Sequence, residues 1–223
     1  MRVYEAIPDE PRAGVIVIHE AFGLNDHIEG VARRLAGEGY HAVAPELFHR
    51  AGGGTAPYGD FSQVLPLYEG LSDEGIVVDL DATIAHLHDS GFPTRMIGIV
   101  GFCFGGRVTF LAAVERSLGA AVGFYGGGIV EARFPQFPAL VSRAEEMATP
   151  WMGFFGDQDA SIPSEHVERI RSALADAPVD HQVVQYADAG HGFFCNERDS
   201  YVEHAADDAW SRTLDWFSER LSS

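Results

Sequence analysis

Gly98-Ile99-Val100-Gly101-Phe102-Cys103-Phe104-Gly105-Gly106-Arg107 is the stretch on which the fold turns. Met96 to Val100 is a β-rich run that drives straight into Gly-x-Cys-x-Gly-Gly, and Val108 to Glu115 then reads as a helix. Strand, sharp turn and helix in that order describe a nucleophile elbow, with a thiol where serine usually stands. A nucleophile on so tight a turn takes strained backbone angles, and side chains on its neighbours would collide with the adjoining strand and helix. Gly101 and Gly105, two residues either side of Cys103, answer that requirement. The helix N-terminus would present its dipole and free N–H groups to the sulfur, which favours the thiolate. A buried cysteine in a glycine-rich turn has the same local sequence, so the elbow is decided by its surroundings.

Upstream, Gly14 to His19 is a continuous β-branched run, the mark of a strand covered on both faces. His27 to Glu38 carries Ile28, Val31 and Leu35 at helical spacing, and Tyr40 to Ala44 is the next strand, stopped by Pro45. Strand, helix, strand in that rhythm builds a parallel sheet. Residues 46–72 break the rhythm, and a connection so long is expected to form a lid or a binding wall. Glu74 to Ser90 returns to one apolar helical face. Beyond the elbow, strands are expected at Ala120 to Tyr125, Pro150 to Phe155 and His181 to Tyr186. Helices are expected from Ser164 to Leu174 and from Val202 to Leu221, with 129–149 irregular. The expectation is a single domain over 1–223, a mostly parallel central sheet flanked by helices on both faces.

The composition narrows the partners. The chain has 223 residues, 46% hydrophobic, with a formal net charge of −18. So acidic a surface repels nucleic-acid phosphates and anionic headgroups, and neither nucleic acid nor membrane is expected as a partner. No apolar run approaches the ~20 residues of a membrane helix, and Met1 to Glu5 reads as fold rather than signal peptide. Two cysteines make a poor disulfide framework, so a cytoplasmic protein is expected; a monomer or weak homodimer is the expected assembly. His86 and His88 are two apart on a helix and share no face. A zinc site of Cys103, His191 and Glu20 has the right ligand types but no supporting spacing, so no metal or cofactor is expected.

Three chemically able groups follow expected parallel strands: Cys103, an acid in the 156–163 loop (Asp157 or Asp159), and His191 between Gly190 and Gly192. The carboxyl-end rim of such a sheet is where sites form. The order nucleophile, acid, histidine is that of α/β-hydrolases.

On these residues the chain resembles the dienelactone hydrolase family of the α/β-hydrolase superfamily. The matching pieces are Ile18-His19-Glu20-Ala21-Phe22-Gly23-Leu24-Asn25, the Gly101 to Gly106 elbow, Gly123 to Gly127, Gly156 to Pro163 and Gly190 to Phe193. The resemblance implies a Cys103, His191 and Asp159 triad, with Asp159 preferred to Asp157. It implies an oxyanion hole of the Ala21 and Phe104 N–H groups, and a Glu20 that contacts the resting thiol. It implies hydrolysis of a small lactone or ester, with Phe22 and Tyr125 as lining candidates. A thiolate leaves more readily than an alkoxide, so enol or aryl esters and lactones are favoured over alkyl esters and peptides. One departure stands out. The family arginine four residues after the histidine is replaced by Cys195, so Arg198 and Arg50 become the candidates for a substrate carboxylate. Cys195 also suggests a redox pairing with Cys103. A non-catalytic binding or sensing protein on the same fold is the rival reading.

Overall fold

The computed structural model describes residues 1–222. One seven-stranded sheet comprises β1 (Val3–Ala6), β2 (Ala13–Ile18), β3 (Tyr40–Pro45), β4 (Ile97–Phe102), β5 (Ala120–Phe124), β6 (Trp151–Gly156) and β7 (His181–Tyr186). Their order across the sheet is β1-β3-β2-β4-β5-β6-β7. β1 runs antiparallel to β3, and every other neighbour pair is parallel. Every residue of β2 to β6 is buried, as continuous apolar runs require, whereas β7 on one edge is half-buried.

The helices are α1 (Asp26–Gly37), α2 (Phe61–Leu67), α3 (Asp73–Asp89), α4 (Phe104–Glu115), α5 (Ser164–Leu174) and α6 (Glu203–Arg220). They cover both faces. Gly98 of β4 packs against Phe217 of α6, while Gly101 packs against the first turn of α4. Residues three apart on a strand point to opposite faces, so α4 and α6 lie on opposite sides of the sheet. This is the α/β-hydrolase architecture, with the carboxyl ends of the parallel strands opening onto one rim. No helix of the described residues is long and apolar enough to cross a membrane.

Two elements depart from the sequence expectation, and a third starts early. β1 is only four half-buried residues at the sheet edge, too short and mixed for a periodic signal. α2 falls within 46–72: Asp60 caps it at the Ser62 N–H, but Pro66 and its brevity hide the helical pattern. α4 begins at Phe104 rather than Val108, because Cys103 itself is its N-cap and the two glycines after Phe104 lower local helix propensity.

Candidate active site

The elbow forms because α4 leaves β4 at very close quarters. A Cβ on Gly105 would lie 2.5 Å from the Ile18 carbonyl oxygen, and one on Gly106 2.5 Å from that of Phe124. Glycine lets the first turn of α4 rest directly on the backbones of β2 and β5. Cys103 takes φ 54° and ψ −110°, held there by its own N–H donating to Phe124 O at 3.0 Å. Such a conformation costs of order 1–3 kcal/mol in a non-glycine residue and persists only where the surroundings impose it. Cys103 and Tyr125 are the only non-glycine residues with positive φ among the described residues, and both border the site.

The sulfur meets its partners across the rim. His191 Nε2 lies 3.1 Å from Cys103 Sγ, and His191 Nδ1 lies 2.7 Å from Asp159 Oδ2. Asp159 is fixed in turn: its Oδ1 accepts from the Ser161 N–H at 2.8 Å and the Ser161 hydroxyl at 2.6 Å. Asp157 is exposed and accepts from Gln185 instead, so of the two acids in the loop only Asp159 reaches the imidazole. Burial works against a charged His191, but the facing Cys103 and Asp159 outweigh it and raise its pKa to about 10. Burial likewise opposes the Asp159 carboxylate, yet hydrogen bonds and charge from His191, with Ser161, hold its pKa below the usual value. The arrangement can move a proton between sulfur and imidazole while a carboxylate fixes the tautomer.

Beside the sulfur opens a cavity of about 210 Å³. Ala21 and Phe104 border it, and neither N–H donates to a backbone carbonyl among the described residues. Two free donors flanking a nucleophile are what an oxyanion needs. The far wall is apolar: Phe61, Val64 and Leu65 of α2, then Tyr68, Phe134 and Phe137. Residues from 46–72 thus form one wall of this cavity. Two arginines reach the cavity. Arg107 is buried and committed to Asp73 at 2.7 and 2.9 Å. Arg133 is exposed, donates to Ser161 O and has no carboxylate within ion-pair distance among the described residues. Arg133, Phe134 and Phe137 were not anticipated, since the irregular 129–149 segment carries no periodicity to read.

Other expected residues lie elsewhere. Glu20 is fully buried and does not hydrogen-bond the thiol; that position belongs to His191. Its Oε1 instead meets Arg198 Nη1 at 3.4 Å and Tyr125 OH at 3.5 Å, while Oε2 has no partner. Burial raises the Glu20 pKa, opposed by Arg198, Tyr58, His191 and Tyr125. Arg198, seven residues after His191, therefore reaches Glu20, and its guanidinium lies over the rings of Phe22 and Tyr58. Arg50 is turned away from the cavity by Asp79, which it meets at 2.5 and 2.9 Å. Phe22 is withdrawn into packing with Tyr58 and Phe61, and the Tyr125 ring packs edge-to-face with that of His191; neither lines the cavity. Cys195 is buried with its thiol on Tyr58 OH at 3.4 Å, and both cysteines are free.

The fold and this rim define a hydrolase of the α/β-hydrolase superfamily. The chain belongs to the dienelactone hydrolase family, whose model matches residues 1–221. It is 40% identical to "Putative carboxymethylenebutenolidase" of Escherichia coli (strain K12), over 98% of this chain and 82% of that protein. It is 31% identical to the carboxymethylenebutenolidase of Pseudomonas putida, over 93% and 86%. Among solved structures it is similar to "Putative Dienelactone Hydrolase from Klebsiella pneumoniae subsp. pneumoniae MGH 78578". That likeness has a TM-score of 0.90 and 38% identity, covering 97% of this chain and 92% of that one.

Proposed function

We propose that the protein hydrolyses lactones or activated enol or aryl esters through a thioester on Cys103. The observation that carries this reading is the unbroken line from Sγ to His191 to Asp159, set on a strained elbow beside an apolar cavity. The Cys103 thiolate attacks the carbonyl carbon, and the displaced electron pair collects on oxygen facing the Ala21 and Phe104 N–H groups. Such donors each contribute about 3 kcal/mol to lowering the barrier. Collapse expels the enolate or phenolate, which takes its proton from His191. Water then attacks the thioester as His191 removes its proton, and the thiolate leaves.

Glu20 receives no proton in this scheme; with Arg198 and Tyr125 it positions the loop that carries Ala21. The unpaired Arg133 favours substrates whose apolar body carries a carboxylate. The protein itself is read as a monomer or weak homodimer that recruits neither nucleic acid nor membrane.

The test is a panel of enol lactones and aryl esters, each with and without a carboxylate, assayed on the wild type and on Cys103→Ala. Turnover by the wild type and its loss by orders of magnitude in the variant, with an acyl adduct on Cys103 by mass spectrometry, is the expected result. Saturable binding without turnover would instead make the protein a small-molecule binder.

A further inference from the structure

At the amino ends of the parallel strands, away from the cavity, three metal-ligating side chains from three elements converge. Glu5 lies on β1, His41 on β3 and His86 in the last turn of α3. Glu5 is in register with Val43, so His41, two residues along β3, shares its face of the sheet. α3 packs on that face, and His86 completes the group. One potential ligand atom from each residue falls within 4.8 Å of the others, with Glu5 Oε1 3.6 Å from His41 Nε2 and hydrogen-bonded to His86.

Two further observations point to a cation. His41 is 4% exposed, and its Nε2 is buried with no hydrogen-bond partner, although it faces the cluster. A buried ring nitrogen left unsatisfied costs of order 1–3 kcal/mol, so such a group calls for an occupant. The carboxylate of Glu5, meanwhile, has no arginine within ion-pair distance among the described residues; its only close partners are the two imidazoles. The carbonyl end of α3 adds negative potential, and the net charge of −18 draws cations to the surface.

We propose that Glu5, His41 and His86 form a binding site for a zinc-class divalent cation that fastens the edge strand β1 to α3. Imidazole and carboxylate together suit Zn²⁺ and its first-row neighbours. Bonds of about 2.0–2.1 Å place tetrahedral ligands roughly 3.3 Å apart. The 3.6 Å between Glu5 and His41 is already close to that. His86, whose side chain is 45% exposed, leaves an entry path and room for water as the fourth ligand. Neither histidine pair nor spacing advertises the site in sequence, because its members are 36 and 45 residues apart along the chain (5 to 41, 41 to 86).

Isothermal titration of ZnCl₂ into untagged, metal-stripped protein tests the site, on a Cys103→Ala background so that the catalytic thiol cannot compete. One equivalent should bind, and His86→Ala should weaken binding at least about tenfold, since even outer-sphere partners of ligands are worth 10–100-fold. His86 is exposed, so the variant keeps the fold, and in the Cys103 protein it should leave esterase turnover unchanged. Zinc should raise the melting temperature of the parent but not of His86→Ala. Absence of saturable binding, or binding and thermal shift undiminished by His86→Ala and by Glu5→Gln, overturns the proposal.

Discussion

His191 sits between sulfur and carboxylate, and its proton affinity is the quantity on which the proposed chemistry depends. Its imidazolium is favoured up to about pH 10 because Cys103 and Asp159 both face it, despite burial. In the proposed scheme the imidazolium is the proton donor to the leaving group, so kcat/KM should fall on the alkaline side as that proton is lost near pH 10. Asp159→Asn removes one of the two anions and no longer selects the Nδ1–H tautomer. Turnover should then drop by about 10²- to 10⁴-fold, and the alkaline limb should move to lower pH. A pH profile with the limb in place and the rate nearly intact would exclude Asp159 as the partner. At this scale the sequence was informative where glycines frame a residue, as at Cys103 and His191. It was silent where reach depends on a loop's path: Arg198 finds Glu20 and Arg133 finds the cavity through irregular backbone, while Asp79 draws Arg50 away.

At the scale of elements, the elbow is a matter of distance between backbones. α4 starts one residue after β4 ends, with Cys103 the intervening residue, and Gly105 touches the carbonyl end of β2. A methyl group on Gly105 must push α4 away from Ile18, which displaces both Cys103 and the Phe104 N–H. Gly105→Ala should therefore lose about 3 kcal/mol, the upper end for overpacking. Calorimetry should show this as a fall in melting temperature of roughly 6–12 °C for a chain of this length. Activity should be lost with it. A variant that melts like the parent would mean that the helix is not held as closely as described. The same closeness explains what could be read in advance. Strands β2 to β6 are buried on both faces and are written as unbroken apolar runs, while β1 and α2 are short, partly exposed pieces that tertiary contacts create. α2 is nevertheless the element that supplies much of the cavity wall, so the part of the fold hardest to read bears directly on substrate choice.

For the whole molecule, buried ionisable groups set opposing slopes of stability with pH. Burial lowers His19 and His27 to about 4. His19 donates from Nδ1 to Glu20 O at 2.7 Å and accepts from Leu47 N at 3.2 Å, which only the neutral ring can do. Groups depressed in this way add stability above their unfolded value of about 6.5 and lose it as pH falls towards 4, on the order of 3 kcal/mol each. Glu20 has the opposite sign. Burial raises its folded pKa above 4.5, so the native state binds that proton more tightly than the unfolded chain. Its contribution is fully present below pH 4.5 and is lost as pH rises through the folded value. Glu20→Gln keeps the volume, removes the buried charge, and leaves Arg198, whose side chain is 19% exposed, within reach of water. The histidines are common to both proteins, so subtracting one unfolding curve from the other isolates Glu20. The variant should match the wild type near pH 4.5 and become progressively more stable towards pH 8, with a slope of at most about 1.4 kcal/mol per pH unit. A difference that stays flat across this range would show that Arg198 and Tyr125 compensate the buried carboxylate fully. In that case Glu20 would be an ordinary ionised partner of Arg198 rather than a carboxylate strained by its burial.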